Sequence, residues 1–286
     1  MSRLNKRSSA WVAFLFAASM GWADDVAFFY ALDADLQGLK TLVQEVGQPV
    51  AVGSRNVQRL RLGSHSIYAV KMGSGAVETA ISAQALLSRF PCDWAFSLGP
   101  AGALCDELDV GGWIRVEQVV AWQKGMENES GFMLSPTAHG TTRWEQLPVE
   151  APPAPLEASR RVVLASGEVF IASSNERERL RTQTQADAVD MNQAGLFPVC
   201  ADHRVPLFTW KVVSDRADEN ASEAFRAFLS AYAGEGGKAI AQMIQQLPAN
   251  PNDPHSYPAI EELLKTTALP EPFPPSSDKN RTDVSP

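Results

Sequence analysis

Acidic residues that follow apolar, strand-like runs are the side chains of this sequence best placed for acid–base chemistry. Asp215 comes just after the run at residues 207–213, and Asp33 and Asp35 come just after the run at residues 26–31. A carboxyl group at the end of a buried strand is partly desolvated, which raises its pKa and lets it act as a general acid near neutral pH. The structural alternatives are a turn or N-cap role for Asp215 and first-turn helix positions for the other two.

Stretches that contain glycine end other strand-like runs. They cover residues 73–75, 99–102 and 167–171. In α/β folds, ligands bind beyond the carboxyl ends of the strands, where glycine lets the backbone approach closely. None of these stretches has the spacing of a Walker or Rossmann phosphate-binding loop. The sequence therefore predicts a ligand pocket of another kind, built from these turns and the acidic residues.

Strand-like and helix-like segments alternate along the chain and must position these residues. Short apolar runs predict strands, and apolar residues at helical spacing predict helices. The predicted strands cover residues 26–31, 65–71, 94–98, 113–122, 161–165 and 207–213, and the predicted helices cover residues 33–46, 76–90, 188–197 and 222–246. This alternation predicts an α/β fold, a three-layer sandwich whose central, mostly parallel, twisted sheet carries helices on both faces.

The first 23 residues have the layout of a secretory signal. A short basic region precedes the apolar run at residues 10–18, and Gly21 and Ala23 supply small residues before a cleavage site. The run is too short to span a membrane. We therefore expect residues 1–23 to be a signal peptide and the mature protein to begin near Asp24, in the periplasm or outside the cell, with no membrane anchor. The alternative is a buried first helix.

The rest of the chain divides into one large domain and a tail. Of the 286 residues, 45% are hydrophobic, which is enough apolar material for one core, predicted over residues 24–246. Nine of the 19 prolines lie in residues 247–286. Because proline fixes φ and lacks an N–H donor, we expect this tail to be largely extended or disordered. The net charge of −8, with no basic cluster beyond the extreme N-terminus, argues against nucleic acid as a partner.

The cysteines and histidines do not have the spacing of a metal site. Cys92, Cys105 and Cys200 form no metal-binding pattern, and the four histidines form no HExxH-like motif. Three cysteines allow at most one disulfide, and we interpret them as small buried apolar residues. We expect neither a metal nor another cofactor.

Six short stretches of the chain carry a resemblance to a known family. They are Ala-Leu-Asp-Ala-Asp at 31–35, Lys-Met-Gly-Ser-Gly-Ala-Val at 71–77, Ser-Leu-Gly-Pro-Ala-Gly-Ala-Leu at 97–104, Ser-Gly-Glu-Val-Phe-Ile at 166–171, Ala-Val-Asp-Met-Asn at 188–192 and Val-Ser-Asp-Arg-Ala-Asp at 213–218. In this order they resemble the nucleoside phosphorylase superfamily, particularly the methylthioadenosine/S-adenosylhomocysteine nucleosidases. The likeness runs from about residue 26 to residue 246 and implies that family's fold.

The resemblance implies how a purine N-glycosidic bond would be broken. The departing base needs a proton, the sugar becomes cation-like, and a nucleophile attacks from the opposite face. By resemblance, Asp215 is the general acid that protonates the purine at N7. Asp35 stands where the family has a glutamate that positions the attacking water, although its side chain is one methylene shorter, and Asp33 is a second possibility.

The resemblance also implies which residues bind the nucleoside. They are Gly73, Gly99, Phe170, Ile171, Met191, Asn192 and Ser214. Phe170 and Ile171 would flank the base and Met191 would pack under the sugar, although Phe170 and Met191 also suit a plain core role. Asn192 departs from the family, which has a glutamate there for the ribose hydroxyls. An amide brings no negative charge to a developing cation, so it either weakens catalysis or suits a different sugar.

The type of nucleophile depends on the cations near the glycine-rich turns. Phosphorylases of this superfamily hold phosphate with cationic residues, usually arginines, at these turns. Here the turns carry no arginine, Lys71 is expected to lie within its strand, and Lys211 is expected to support Asp215. A phosphate dianion in a dry pocket without paired cations is very costly. We therefore expect water to be the nucleophile.

Three functional hypotheses remain. The first is an exported nucleosidase that hydrolyses the N-glycosidic bond of a purine-type nucleoside. The second is a phosphorylase with a relocated phosphate site, and the third is a non-catalytic nucleoside-binding or storage protein, which Asn192 keeps open. Because the base would be read largely by backbone groups, the sequence favours no particular purine. The family resemblance also implies a homodimer.

Overall fold

An extended β-sheet organises the protein, whose computed structural model describes residues 25–129, 131–149 and 151–247. The predicted signal peptide (1–23) and all but the first residue of the predicted tail (247–286) lie outside the described residues. In chain order the strands are β1 (Asp25–Tyr30), β2 (Gln44–Glu45), β3 (Val50–Val52), β4 (Arg55–Leu62), β5 (His65–Lys71), β6 (Trp94–Ala103), β7 (Trp113–Ala121), β8 (Gly125–Asn128), β9 (Gly131–Leu134), β10 (His139–Thr141), β11 (Arg160–Ser166), β12 (Ala188–Asp190) and β13 (Leu207–Asp215).

The sheet is mixed rather than mostly parallel, which corrects our prediction. Its strand order is β10-β7-β11-β12-β6-β1-β5-β4-β2, with β13 paired to both β6 and β7 and β3 paired to β4; β8 and β9 form a separate hairpin. Five strand pairs of the large sheet are parallel, and six are antiparallel. The antiparallel pairs come largely from short strands and from β4, which the sequence analysis did not identify.

The helices pack against this sheet. They are α1 (Asp33–Lys40), α2 (Ala76–Arg89), α3 (Ser174–Thr184), α4 (Gln193–Asp202), α5 (Ala221–Ala231) and α6 (Glu235–Ile244). The predicted helix at 33–46 ends early, and the predicted helix at 188–197 begins only at Gln193 because its first residues form β12. The predicted helix at 222–246 is two helices. Helix α3 was missed because its polar sequence buries only Leu180 and Thr184.

Apolar side chains on both sides of β1 and β6 join the sheet to the helices. Phe29 of β1 lies in one buried cluster with Leu86 of α2 and Leu196 of α4. Leu98 of β6 points toward α6, where a Cβ on Gly236 would lie 3.1 Å from its Cδ1. Because close-packed cores resist deformation, these contacts fix the carboxyl ends of the central strands.

Strand β6 extends through residues 99–102, which the sequence analysis had placed in a turn. These residues pair with β13, so that Gly99 lies opposite Lys211 and Gly102 lies opposite Asp215. A bulge shifts the register between Val213 and Asp215. The longer strand pairing therefore brings the side chain of Asp215 directly beside Gly102.

The cysteines play no covalent part in this fold. All three are free; Cys105 and Cys200 are buried and Cys92 is partly buried. Among residues 25–129, 131–149 and 151–247, no helix combines the length and apolar character that crossing a membrane requires.

Candidate active site

A cavity of about 280 Å³ lies at the carboxyl ends of β1, β5, β6, β12 and β13. Most of the predicted site residues line it: Gly73, Phe170, Ile171, Met191, Asn192, Ser214 and Asp215. Asp35 and Gly99 are not among its lining residues. Concave sites at this edge of α/β sheets commonly bind small organic ligands. The topology therefore gathers segments from distant parts of the chain at one ligand-sized site.

Asp215 contributes a buried carboxyl group to the cavity wall. Its Oδ2 accepts a hydrogen bond from Ser214 Oγ (2.7 Å), and its Oδ1 accepts one from the backbone N–H of Ala217 (2.9 Å). Gly102 leaves room for it, because a Cβ there would lie 2.8 Å from Oδ1. Burial raises the pKa of Asp215; the two hydrogen bonds lower it in part, and the charge of Asp218 raises it. The carboxyl therefore holds a proton to higher pH than an exposed aspartate does.

The structure bears on the alternative structural roles of the predicted acids. Helix α5 has Asn220 as its N-cap, so Asp215 does not cap it, but the hydrogen bond that Asp215 accepts from the N–H of Ala217 is typical of a turn residue. Asp33 and Asp35 both lie in the first turn of α1. Asp33 is exposed and its Oδ2 lies 2.7 Å from Nζ of Lys71, a cavity-lining residue at the end of β5. An ion pair this exposed adds little stability, but the Asp33 carboxylate balances the positive charge of Lys71.

Asp35 is buried, with only 1% of its surface exposed. Its Oδ1 accepts a hydrogen bond of 2.5 Å from the hydroxyl of Tyr232. Burial raises the pKa of Asp35 to about 7, although the Tyr232 hydrogen bond and the charge of Lys211 lower it and the charge of Glu235 raises it. Asp35 is thus a carboxyl group that changes its charge near neutral pH.

Lys211 does not support Asp215, contrary to our expectation. It is fully buried, and its Nζ lies 2.7 Å from Oδ2 of Asp190, a cavity-lining residue at the end of β12. Gly99 has a packing role here, since a Cβ on it would lie 3.3 Å from Nζ of Lys211 and 2.8 Å from Cβ of Ala31. The sequence contained a signal for such a pair, since Lys211 lies within an otherwise apolar strand. A buried charge needs a partner of opposite charge.

Asn192 is built into the cavity wall through its amide nitrogen. Nδ2 donates hydrogen bonds to the carbonyl of Gly73 (2.8 Å) and to the hydroxyl of Thr79 (2.9 Å). Within the described chain, Oδ1 takes no hydrogen bond and is the acceptor that remains for a ligand. A glutamate has no N–H to give to the Gly73 carbonyl, so this backbone arrangement specifically suits an amide.

The Asn192→Asp variant is expected to unfold more easily, by about 1–3 kcal/mol, because the Gly73 carbonyl loses its donor and faces a carboxylate instead. Chemical denaturation at pH 8 measures the change. Asn220→Asp is the matched control: the same chemical change at a helix N-cap whose side chain makes no capping bond, where an acid is tolerated. Equal stability of the two variants would contradict this account of the Asn192 amide.

A carboxylate already occupies the N-terminus of α2 next to the glycine-rich turn. Oε1 of Glu168 accepts a hydrogen bond of 2.9 Å from the backbone N–H of Val77. Helix N-termini attract anions such as phosphate because their backbone N–H groups are free and the helix dipole is positive there. Glu168 therefore fills a position that an inorganic anion would need. In the described part of the chain, no group of three or more His, Cys, Asp or Glu side chains is arranged to hold a metal.

An aromatic pair forms another wall of the cavity. The rings of Phe170 and Phe225 lie 5.7 Å apart at 57°, and both residues line the cavity. Phe170 is 40% exposed, so it is not a core residue. Phe225 was not among the predicted site residues because it lies inside α5, far from the glycine-rich turns in the sequence. Each of the two inclined rings offers an apolar face against which a heterocycle can pack.

Sequence comparison relates the chain to nucleoside-cleaving enzymes. Residues 25–245 match the model of the phosphorylase superfamily. The chain is 27% identical over 194 residues to the 5'-methylthioadenosine/S-adenosylhomocysteine nucleosidase of Staphylococcus saprophyticus, covering 65% of this chain and 85% of the relative. It is 24% identical over 231 residues to the enzyme of the same name from Staphylococcus haemolyticus, covering 76% and 96%.

Solved structures of related nucleosidases have the same fold. The crystal structure of the Helicobacter pylori 5'-methylthioadenosine/S-adenosylhomocysteine nucleosidase superposes with a TM-score of 0.71 at 21% identity, covering 79% of this chain and 99% of that one. The futalosine hydrolase of Helicobacter pylori gives a TM-score of 0.71 at 22% identity with the same coverage. The described residues therefore have the α/β fold of these nucleosidases.

Proposed function

This chain belongs to the phosphorylase superfamily, and we propose that it is a nucleosidase that hydrolyses the N-glycosidic bond of a purine-type nucleoside. The observation that carries the proposal is the buried carboxyl of Asp215 in the cavity wall, with its pKa raised by burial. Relatives named for cleavage of 5'-methylthioadenosine and S-adenosylhomocysteine support a purine nucleoside with a 5' substituent as the substrate.

In the proposed mechanism, Asp215 gives its proton to a ring nitrogen of the departing base. The carboxylate that forms keeps its hydrogen bonds from Ser214 and Ala217, which stabilise the negative charge as it develops. The Phe170–Phe225 wall would hold the base, and Oδ1 of Asn192 would accept a hydrogen bond from a sugar hydroxyl. The ionised form of Asp35 would take a proton from the attacking water.

Paired charges around the cavity favour water over phosphate as the nucleophile. Among the described residues, Lys71 is paired with Asp33 and Lys211 is paired with Asp190. Glu168 occupies the N-terminus of α2. A phosphate dianion would have to displace one of these carboxylates before it gained a partner. We therefore infer hydrolysis rather than phosphorolysis.

We expect the purified protein to release free base from purine nucleosides in the absence of phosphate. The assay uses a panel of purine nucleosides with and without 5' substituents. Adding inorganic phosphate is expected to leave the rate unchanged and to yield the free sugar rather than its 1-phosphate. Chromatography of base and sugar products measures both. Turnover that requires phosphate would make the protein a phosphorylase instead.

A non-catalytic nucleoside-binding protein is the second candidate, because Asn192 brings no negative charge to the sugar. Measurable binding by calorimetry, with no base release from any nucleoside of the panel, would favour this candidate over the nucleosidase.

We further propose that the protein is exported, a homodimer, and a three-layer sandwich. Export rests on the signal-like residues 1–23, and cleavage near Asp24 in periplasmic or secreted material is the test.

The homodimer is supported by Val77 and Ile81, apolar residues four positions apart on α2 that are 63% and 45% exposed. Sedimentation velocity tests it. The layer order rests on the packing of α2 and α4 on Phe29 and of α6 on Leu98.

A further inference from the structure

Tyr232 connects α5 to α6 and reaches the predicted water-activating carboxyl from a part of the chain 197 residues away. Its ring stacks on Phe228, with centroids 5.2 Å apart, and lies 6.3 Å from the ring of Trp113. Its hydroxyl donates to Oδ1 of Asp35 (2.5 Å) and accepts from the backbone N–H of Gly236 (3.3 Å). The phenol is thus held from both sides and aimed at one oxygen of the carboxyl.

The backbone around Asp35 is also held firmly. Helices α1 and α6 approach so closely that a Cβ on Gly237 would lie 1.9 Å from the carbonyl oxygen of Asp35. Only glycine permits this approach. Helix α1, which carries Asp35, therefore packs closely against the start of α6, which follows Tyr232 in the chain.

We propose that Tyr232 is a positioning residue for the hydrolytic reaction, which holds Asp35 by Oδ1 so that Oδ2 can receive the proton of the attacking water. The inference rests on the proposed nucleosidase function and extends it to a residue outside the stretches that resemble the family. In the described part of the chain, Oδ2 takes no hydrogen bond. Because Asp35 is buried and does not line the cavity, the proposal requires the attacking water to lie between this oxygen and the cavity.

The charges around Asp35 explain why this hydrogen bond matters. Tyr232 faces it from the α5–α6 connection, Lys211 from β13, and Glu235 from the start of α6. Lys211 is shared with Asp190, so it stabilises the Asp35 carboxylate only in part. Burial beside this carboxyl raises the pKa of Tyr232 far above its usual range, so the phenol stays protonated and always donates. Without this hydrogen-bond donor, Asp35 would be ionised in a smaller fraction of the molecules at neutral pH.

Tyr232→Phe is expected to raise the pKa of Asp35 by about one unit, the usual size of a lost hydrogen bond to a charged form. Because the base must be ionised, kcat/KM is expected to fall about tenfold below pH 6 and to approach the unmodified value above pH 9. The measurement is the ratio of kcat/KM of variant and unmodified protein from pH 5 to pH 9.5. Tyr68→Phe, which removes a phenol from another partly buried ring, is the matched control and should show no pH-dependent ratio.

Two further measurements separate the outcomes. In an Asp35→Asn background, Tyr232→Phe should change kcat/KM by less than about twofold, since the proposed effect acts through the carboxyl. Carbon-13 NMR titration of the Asp35 carboxyl reports the pKa change even if no nucleoside is hydrolysed. A pH-independent loss, or an unshifted Asp35 titration in Tyr232→Phe, overturns the role of Tyr232. If the titration shifts but no nucleoside is hydrolysed, the proposed function fails and the coupling stands.

Discussion

Replacing Asp215 with asparagine is expected to lower the rate of base release by about 10²–10⁴-fold while leaving nucleoside binding nearly unchanged. The amide is isosteric, and its oxygen can still accept from the Ala217 N–H. The Ser214 hydroxyl can rotate to accept from the new N–H group instead of donating. The amide can donate a hydrogen bond to the base but cannot transfer a proton to it.

Asp202→Asn provides the matched control for this prediction. Asp202 is an exposed aspartate at the end of α4, and it is not among the cavity-lining residues. Single-turnover kinetics measures the chemical step, and calorimetry measures nucleoside affinity. Undiminished turnover in Asp215→Asn would remove Asp215 from its assigned role. Loss of binding together with turnover would make it a binding residue.

Asp35→Asn is expected to give a protein that is more stable and much less active. The amide oxygen still accepts from Tyr232, so the local structure is kept. Because the amide cannot accept a proton from water, turnover is expected to fall by about 10²–10⁴-fold. At pH 8 the variant is expected to be more stable by about 2–4 kcal/mol, because it no longer buries a charge.

The pH dependence of this gain follows from the two pKa values of Asp35. Its pKa is near 3.8 in the unfolded chain and about 7 in the folded protein. The unmodified protein therefore loses stability as pH rises from about 4 to about 7 and loses no more above that range. The difference between variant and unmodified protein should be near zero at pH 4 and reach its maximum by pH 8. Denaturant titrations at several pH values measure it, and a constant difference would contradict the burial argument.

The sequence was sufficient to predict most of the residues that line the cavity but not the buried charged pair behind them. Asp215 could be predicted because a buried strand leads directly to it, and Asn192 because its stretch resembles the family. The Lys211–Asp190 pair could not, because Asp190 ends a strand of three residues that the helical spacing of the following segment concealed. A short strand contributes too few residues to show its own period.

Tyr232 was missed for a different reason. Residues 222–246 were predicted to form one helix, in which the helical period alone would set the direction of the Tyr232 side chain. Gly234 adopts φ = +79° and breaks that helix, which turns the Tyr232 side chain toward Asp35. The glycines at 234, 236 and 237 were a signal for this break. The contact itself depends on the close packing of α1 and α6, which only the three-dimensional structure reveals.

The pairing of Lys71 with Asp33, and of Lys211 with Asp190, has a consequence for metabolite discrimination. A nucleoside and its 5'-monophosphate share base and sugar, yet only the nucleoside is uncharged. Among the described residues, both lysines near the cavity already have a carboxylate, so a nucleotide would shed its hydration and gain no compensating cation. If the site takes a nucleoside as proposed, this pairing of charges would therefore disfavour nucleotides and the ends of nucleic acid chains.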